Sequence, residues 1–496
     1  MPQKERIYYL LIIWICLALY LFNNLWLKQN SAGMLWYFSV CYANDLLAPL
    51  VMLSVANLAL SFVGRSIKKL WQILTFALIC GLFWEFTALF FPDGVLFLPA
   101  STFDPFDFAA YAAGGLMFWL ITKKPELNKL YSKSEEKSMK AAMWYNRKDV
   151  RIAEVPEPAV KPGHVKIKVK WCGICGSDLH EYLGGPISIP VDKPHPLTGQ
   201  VAPVILGHEL AGEVVEVGEG VTGFKVGDRA VTEATVCCLE CPACLTGHHN
   251  LCEKLGIHGV SGSGGGFAEY TVFHSKFTHK IPESLSYEQA ALVEPIAVGF
   301  HSMLVGGFKP GMTAVVLGAG PIGLGVIECL KASGARQIIA VVRKSVRQQN
   351  ALRSGADVLL DPEETDVADE IKKLTGGRGA DIAFETYGVD LGIKLGLDSI
   401  RFDGTLVVLS LWENPSSLHM MDLVLTEKKI VGSIIYSGND FDTVIKMLDD
   451  GRVKADGYIT KRIALDDLVA EGLDILAGPG KKSQIKIIVT PDRALL

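Results

Sequence analysis

One stretch of the sequence constrains the fold more than any other: an apolar segment, Thr313–Leu317, runs directly into glycines spaced G-x-G-x-x-G. Gly318 and Gly320 would allow a tight turn and the close approach of a pyrophosphate. Gly323 would let the next helix pack on the strand, and Ile322 lies inside the turn. Strand, glycine turn and helix in this order predict a dinucleotide-binding unit, with the helix N-terminus facing the phosphates.

Strand-like and helical runs alternate on both sides of this unit. The further strand-like runs fall at residues 337–342, 357–360, 381–385 and 404–410. Because strands that alternate with helices form βαβ units, the pattern predicts a parallel sheet with right-handed crossovers. We therefore expect a Rossmann domain, a doubly wound α/β fold, over residues 296–432.

The end of the second strand bears on the identity of the cofactor. An NAD-binding unit usually carries Asp or Glu at this point, where the carboxylate holds the ribose 2′-hydroxyl. Here the chain reads Val342, Arg343 and Lys344, and Arg347 follows one turn later. A guanidinium at this place can pair with a 2′-phosphate, so the sequence favours NADP over NAD. The alternative is that these cations are solvated residues at a helix start and that NAD still binds.

Four of the 11 cysteines lie close together in the sequence. Cys238, Cys241, Cys244 and Cys252 are spaced C-x2-C-x2-C-x7-C. Four thiolates can close a tetrahedron around zinc and leave no open position, which is the pattern of a structural site that contributes to folding. The spacing also favours metal over disulfides, and hence a reducing compartment. Four unligated cysteines in one loop are the alternative.

A second set of metal-binding side chains is scattered along the chain. Cys175 offers sulfur, His208 offers an imidazole beside the carboxylate of Glu209, and Glu294 offers another carboxylate. This mixture is typical of a catalytic zinc that keeps one position open for water or substrate. The alternative is that Cys175 is a small buried hydrophobic residue and His208 a core histidine.

Short strand-like runs surround this second set. Residues 165–170 alternate strictly between apolar and polar, and similar runs recur at 212–217 and 230–232 with glycine-rich turns between them. We expect a small β-rich domain over residues 139–295 that carries the metal ligands on its loops.

Four apolar runs near the N-terminus reach the length of a membrane span, which needs about 20 residues. They are residues 7–27, 34–63, 70–91 and 103–121. The flanking basic residues lie mainly on one side, which by the positive-inside rule puts both ends in the cytoplasm. We therefore expect a membrane four-helix segment over residues 1–122, a linker over 123–138, and a multi-pass membrane protein whose remainder is cytoplasmic. Buried core helices are the alternative.

The charge balance bears on the partners. A formal net charge of −5 over 496 residues gives no reason to expect nucleic acid.

Residues 139–496 resemble the zinc-dependent medium-chain alcohol dehydrogenases, and within them the butanediol and sorbitol dehydrogenase branch. The stretches that carry the resemblance are 171–182, 184–187, 195–199, 207–209 and 293–295. The N-terminal segment resembles small VanZ-type membrane proteins, without a specific motif. The first resemblance implies a GroES-like catalytic domain, completed by residues 433–496, and a homo-oligomer.

The resemblance also implies a ligand set and a reaction. Cys175, His208 and Glu294 would hold the catalytic zinc, with Glu209 as a close or alternating ligand, and the four clustered cysteines would hold the second zinc. The expected reaction is hydride transfer between a secondary alcohol, such as 2,3-butanediol, or its ketol acetoin, and a nicotinamide.

A proton relay follows from the same motif. Ser177 is placed to take the proton of the alcohol, and His180 to pass it to solvent. The alternatives are that Ser177 is a helix N-cap and that His180 is a surface residue. A different function also stays open: a membrane transport or sensor protein whose dehydrogenase-like part binds nucleotide for regulation.

Overall fold

The computed structural model describes most of the C-terminal part of the chain and selected helices of the N-terminal part. The described residues are 137–412 and 415–496, together with 3–27, 30, 43–61, 67, 69, 71–79, 82 and 110–120. The chain divides into two compact units, Met1–Glu136 and Lys137–Leu496.

The N-terminal unit is helical where it is described. Helix α1 spans Gln3–Phe22 and passes into a π-helical turn, Asn23–Leu27, and helix α2 spans Ala43–Ser61. A small apolar core contains Leu53, Ile73 and Phe118.

The expectation of membrane spans concerns this unit. Within the described part of the chain, no helix combines the length and the apolar character that crossing a bilayer requires. The prediction of a four-span membrane domain over residues 1–122 is therefore not supported, because a span needs about 20 apolar residues in one helix. Parts of the second, third and fourth runs lie outside the described residues.

The C-terminal unit begins with a β-rich region. Its strands are β1 Ser138–Asn146, β2 Asp149–Pro156, β3 His164–Gly173, β4 Val204–Ile205, β5 Glu209–Val217, β6 Arg229–Thr232, β7 Thr235–Val236, β8 Gly256–Ile257, β9 Tyr270–His274 and β10 Thr278–Lys280. Its helices are α3 Gly176–Leu183, α4 Pro242–Leu245 and α5 Tyr287–Ala290, and helix α6, Val293–Val305, leads out of it.

The parallel sheet and its helices follow. The strands are β11 Thr313–Leu317, β12 Gln337–Val341, β13 Val358–Leu360, β14 Ala380–Glu385, β15 Ile400–Val408 and β16 Lys429–Gly432. The helices are α7 Pro321–Ala332, α8 Val346–Arg353, α9 Val367–Leu374, α10 Asp390–Ser399 and α11 Met420–Val424. The chain ends with α12 Asp440–Asp449, β17 Ile459–Ala464, α13 Asp474–Ala477 and β18 Lys486–Thr490.

The larger sheet of the β-rich region takes strands from both ends of the C-terminal unit. Its order is β10-β6-β5-β3-β18-β17, with β9 also paired to β3. Strand β18 pairs antiparallel with β3 through Ile488 and Val489. The chain therefore leaves this region, forms the parallel sheet, and returns to finish the sheet that β3 began.

The parallel sheet has the order β13-β12-β11-β14-β15-β16. Each neighbouring pair is parallel. This is the doubly wound order 3-2-1-4-5-6, in which the strand order reverses beside the first strand and ligands bind outside the carboxyl ends of the strands. The glycine turn follows that first strand, β11.

Helix α6 joins the two regions at close range. A Cβ on Gly299 of α6 would lie 2.7 Å from the backbone nitrogen of Val326 in α7. A Cβ on Gly325 of α7 would lie 3.2 Å from the Cα of Ile296. Because the two helices touch through their backbones, the first turn of α6, which carries Glu294, is fixed relative to the glycine turn that precedes α7.

Candidate functional site

A cavity of about 800 Å³ opens at the carboxyl ends of the parallel strands. Its lining includes residues that directly follow β14, β15 and β16, Ile322 of the glycine turn after β11, and residues of the β-rich region. The predicted site residues among its lining are Cys175, Ser177, His180, His208, Glu294 and Ile322. The fold therefore brings the scattered metal-binding set and the glycine turn to one cavity, where a nucleotide and a substrate could meet.

Cys175 is the N-cap residue of α3. Its backbone N–H donates to Oδ2 of Asp178 at 2.9 Å. Ser177 is the second residue of the helix and not its cap, so the alternative reading of Ser177 as an N-cap is wrong. Its Oγ lies 3.2 Å from Nε2 of His208 and borders the cavity.

His208 is buried, with 4% of its surface exposed. Its Nδ1 has no hydrogen-bond partner and faces the equally unpartnered Oδ1 of Asp178 across 3.8 Å. Burial lowers the pKa of His208, but the negative charges of Asp178 and Cys175 raise it well above its usual value. A carboxylate behind a metal-binding histidine usually fixes the orientation of the ring. Asp178 has this position, although no role was predicted for it from the sequence.

Glu209 is not among the residues that line the cavity. Both of its carboxylate oxygens accept from Nζ of Lys486 at 2.6 Å, and the same ammonium donates to the carbonyl oxygen of Ile174 at 3.0 Å. Lys486 is 2% exposed and Glu209 fully buried. A Cβ on Gly173 would overlap the Glu209 carboxylate, so the glycine makes room for the ion pair.

Lys486 was also not predicted from the sequence as a site residue. Burial lowers the pKa of its ammonium, but the charges of Glu209 and Cys175 raise it above the usual value, so Lys486 stays charged. The only signal in the sequence is a lysine at the start of an otherwise apolar strand, Lys486–Thr490.

Glu294 lies in the first turn of α6 and is 3% exposed. Burial raises the pKa of its carboxyl, and the charge of His208 opposes that rise. His180 is half-buried and lies three residues after Ser177 on α3, on the same wall of the cavity.

The donor set fits a zinc ion. Sulfur, imidazole and carboxylate line one cavity, with His208 and Glu294 buried and Cys175 half-buried, and Asp178, Glu209 and Glu294 are three buried carboxyl groups near one buried lysine. A divalent cation would supply the positive charge that this set lacks. Cys175, His208 and Glu294 line one wall, but within the described chain they do not form a group whose ligand atoms all lie within 4.8 Å of one another.

The four clustered cysteines do form such a group. The ligand atoms of Cys238, Cys241, Cys244 and Cys252 all lie within 4.8 Å of one another. Backbone N–H groups of Cys238 and Lys254 point at the Cys252 sulfur from 3.3 and 3.4 Å, as they do around metal-bound thiolates. Leu239 turns the loop with a φ of 60°. This arrangement fits a closed tetrahedral zinc site.

The glycine turn has the geometry that its sequence predicts. Gly318 has a φ of 108°, and a Cβ there would overlap the hydroxyl of Thr386. A Cβ on Gly323 would overlap the carbonyl oxygen of Gly318, whereas Gly320, the N-cap of α7, faces open space. The helix N-terminus is therefore open to a pyrophosphate.

The predicted 2′-phosphate residues point in different directions. Val342 is buried, and its N–H donates to the carbonyl oxygen of Leu360 at 2.9 Å. The Arg343 side chain is 69% exposed and pairs with Glu363 at 3.2 Å. Arg347 is half-buried, and its Nη2 donates to the carbonyl oxygen of Gln484 at 3.4 Å. Arg343 therefore remains accessible to a ligand, whereas Arg347 is turned toward the C-terminal residues.

Two family models match this part of the chain. Residues 161–283 match the alcohol dehydrogenase GroES-like domain, and residues 321–450 match the zinc-binding dehydrogenase family. The matches confirm the expected GroES-like and Rossmann-type folds. Both lie beyond the N-terminal segment, so neither supports its resemblance to VanZ-type proteins.

Similar proteins extend over the whole C-terminal part. An (R,R)-butanediol dehydrogenase of Bacillus subtilis is 50% identical over 359 residues, which are 71% of this chain and 100% of that protein. A crystal structure of 2R,3R-butanediol dehydrogenase from Bacillus subtilis superposes with a TM-score of 0.67 at 49% identity, covering 72% of this chain and 100% of the other. A zinc-binding dehydrogenase of Sinorhizobium meliloti bound to NADP superposes with a TM-score of 0.65 at 29% identity, covering 72% and 100%.

Identity at this level over complete relatives is decisive for the family. With the cavity, the four-cysteine loop and the glycine turn already described, it follows that this chain belongs to the zinc-dependent medium-chain alcohol dehydrogenases and uses zinc and a nicotinamide dinucleotide as cofactors.

Proposed function

We propose that this dehydrogenase interconverts 2,3-butanediol and acetoin, or a closely related diol, ketol or polyol. The observation that carries the proposal is the shared cavity, which Cys175, His208 and Glu294 line together with Ile322 of the glycine turn. A secondary alcohol at the first three residues would lie within the same space as a nicotinamide held near the turn. The name of the Bacillus subtilis relative supplies the substrate class.

The two metal sites have different roles in this proposal. Cys175, His208 and Glu294 would hold the catalytic zinc, with Glu209 as a close or alternating ligand, and the four clustered cysteines would hold the structural zinc. When bound, the catalytic zinc supplies a positive charge that lowers the pKa of the substrate alcohol. The protein supplies a buried, preorganised set of donors and the carboxylate of Asp178 behind His208.

Two side chains of α3 move the proton. Ser177 borders the cavity, and its Oγ accepts the proton of the substrate hydroxyl as its own hydroxyl proton passes toward His180. His180 lies three residues further, so both side chains occupy one face of the helix, and the imidazole passes the proton toward solvent. The hydride leaves the substrate carbon for the nicotinamide, which the Rossmann domain orients.

Arg343 supports a preference for NADP. Its guanidinium stands at the end of β12, is 69% exposed and is engaged by one exposed carboxylate, Glu363. A 2′-phosphate carries more charge than that carboxylate and accepts a bidentate hydrogen bond from arginine. The Arg347 side chain is hydrogen-bonded to the carbonyl oxygen of Gln484, so Arg347 is not part of this proposal. In Arg343→Glu the ratio of kcat/KM for NADP to that for NAD should fall at least tenfold; an unchanged ratio would remove Arg343 from cofactor selection.

The remaining expectations are proposals of the same kind. The catalytic domain comprises residues 139–295 and 433–496, and the dinucleotide domain residues 296–432. A reducing, cytoplasmic setting suits the nine described cysteines, all of which are free. A homo-oligomer suits β16, the last strand of its sheet, and the exposed side chains of Met420, Val424 and Leu425 beside it.

The test of the function is an assay of the full-length, zinc-loaded chain. Reduced nicotinamide should accumulate with 2,3-butanediol and disappear with acetoin, faster with NADP than with NAD. Ser177→Ala should lower kcat by about 10²-fold, the usual contribution of a positioned proton-transfer group, while zinc content stays unchanged. Folded, zinc-replete protein that is inactive on every small diol, ketol and polyol would refute the proposal. That result would favour the alternative, a membrane transport or sensor protein whose dehydrogenase-like part binds nucleotide for regulation. The identity to a butanediol dehydrogenase does not favour this alternative.

A further inference from the structure

A buried carboxylate lies where the parallel sheet opens to the cavity. Glu385 is the last residue of β14, the strand next to β11, and none of its surface is exposed. Glu385 is not among the described residues that line the cavity, whereas the five residues that follow it, 386–390, all line it. Because a buried carboxylate is destabilising unless donors satisfy its oxygens, the donors to Glu385 show which parts of the chain it holds together.

Three uncharged donors from two loops hold this carboxylate. Oε1 of Glu385 accepts from the backbone N–H groups of Tyr387 at 2.5 Å and Gly388 at 2.9 Å. Oε2 accepts from the hydroxyl of Ser410, which lies two residues after β15 and also lines the cavity. The carboxylate therefore joins the loop after β14 to the loop after β15.

The loop after β14 is also tied to the next two strands of the sheet. The hydroxyl of Thr386 donates to the carbonyl oxygen of Leu317, the last residue of β11, at 2.6 Å. The hydroxyl of Tyr387 donates to the carbonyl oxygen of Val341, the last residue of β12, at 2.8 Å. A Cβ on Gly318 would lie 3.2 Å from the Tyr387 ring. The loop that Glu385 holds therefore lies against the glycine turn.

We infer that Glu385 is a positioning residue for the nicotinamide dinucleotide. In a doubly wound sheet the ligand binds outside the carboxyl ends of the strands where the strand order reverses, here between β11 and β14. The two loops that Glu385 joins line the cavity at this place. Because the carboxylate fixes their backbone before the cofactor arrives, less conformational entropy is lost on binding. The inference rests on the cofactor class of the family and not on the proposed substrate.

The test is the Kd of the full-length, zinc-loaded enzyme for NADPH and for NADH, measured by fluorescence titration. Glu385→Met removes both oxygens and keeps an unbranched side chain of similar length. It should raise the Kd of the tighter-binding cofactor about tenfold or more, the equivalent of one or two lost hydrogen bonds.

Glu385→Gln is the conservative variant that should restore binding. Its amide oxygen can accept from both N–H groups, and its amide nitrogen can donate to the hydroxyl of Ser410, because a hydroxyl both donates and accepts. The Kd of Glu385→Gln should therefore stay within about threefold of the wild-type value. Equal weakening in Glu385→Gln and Glu385→Met would contradict the inference, since the glutamine keeps the acceptor on which it depends.

Glu328 of α7 provides a matched control. It is 5% exposed and accepts from donors of the same kinds: the N–H groups of Lys454 and Ala455, both at 3.1 Å, and the hydroxyl of Ser354 at 3.2 Å. Among the described residues, those that line the cavity include neither Glu328 nor these partners. Glu328→Met should lower the melting temperature, as Glu385→Met does, and leave the Kd of the cofactor unchanged.

Two results would overturn the positioning role. If Glu385→Met loses stability but binds cofactor as tightly as the wild type, the carboxylate only stabilises the fold. If Glu328→Met weakens binding as much as Glu385→Met, general destabilisation explains the loss. An enzyme that shows the expected Kd values but is inactive on every diol, ketol and polyol would refute the proposed substrate and leave this inference standing.

A further variant covers the case in which Glu385→Met does not fold. Glu385→Asp keeps the carboxylate and shortens its reach by one methylene, so that it cannot hold both loops at once. A higher Kd for the cofactor in this variant supports the positioning role, and an unchanged Kd overturns it.

Discussion

The two proposed metal sites of this enzyme are assembled in opposite ways. The four-cysteine group lies within a single short loop, and its ligand atoms already lie within 4.8 Å of one another. The cavity site takes Cys175 from α3, His208 from the residue before β5 and Glu294 from α6. Its partner Lys486 comes from still farther along the chain, in β18.

The two sites therefore differ in what stabilises them. A closed loop of thiolates gains its stability from the metal, which replaces the hydrophobic core that so short a segment lacks. The cavity site is held by the folded protein: by the ion pair of Lys486 with Glu209 and by Asp178 behind His208. Loss of zinc should therefore unfold the first site locally and leave the second in place.

The largest expected effect is that of removing a ligand from the four-cysteine group. Cys244→Ser should lose one zinc per chain and lower the free energy of unfolding by at least ~3 kcal/mol, because metal binding there is folding free energy. Metal analysis and thermal unfolding measure both. Cys237→Ser is the control, since Cys237 lies beside the group but outside it; equal losses in the two variants would contradict the assignment.

Removing a ligand from the cavity site should lower activity and not stability. Cys175→Ser should lower kcat/KM by about 100-fold or more, because it removes a proposed zinc ligand, and should leave the melting temperature nearly unchanged. Steady-state kinetics and calorimetry on one preparation give both quantities. A large fall in melting temperature would break the contrast between the two sites.

The next effect concerns the ion pair of Lys486 with Glu209, which supports the cavity site. Lys486→Met leaves Glu209 buried without its partner, and breaking such a pair typically costs about 3–5 kcal/mol. Lys254→Met is the control, because its pair with Glu240 is exposed and should contribute little to the free energy of unfolding. Denaturant unfolding compares the two. A change of less than about 1 kcal/mol in Lys486→Met would show that solvent or a proton compensates Glu209.

These contrasts also explain what the sequence could predict. The glycine turn and the four-cysteine loop are local, so the spacing of Gly318 or Cys238 states the geometry directly. Asp178 and Lys486 act through partners that only the folded chain brings near, and each is an ordinary residue in its own segment. The four predicted membrane spans relied on apolar composition, and the described helices do not support them.

The last and smallest effect lies where α12 packs on the β-rich region. His279 of β10 contacts Glu233 at 3.0 Å through Nε2 and Asp442 of α12 at 2.7 Å through Nδ1. Burial lowers the pKa of His279, but the hydrogen bonds and charges of Glu233 and Asp442 raise it above the ordinary value of 6.5. The protonated ring thus links β10 to α12.

The sign of the pH dependence follows from this raised pKa. A group that binds its proton more tightly when folded contributes its full stability below pH 6.5, and that contribution disappears as the pH rises through the folded pKa. His279→Gln should therefore unfold at a lower temperature than the wild type in acid, with a difference that shrinks at alkaline pH. Parallel melting curves across that range test it, with the exposed pair of His419 and Asp422 as the control in His419→Gln. A constant difference would mean that His279 contributes through packing on Phe441 and not through its charge.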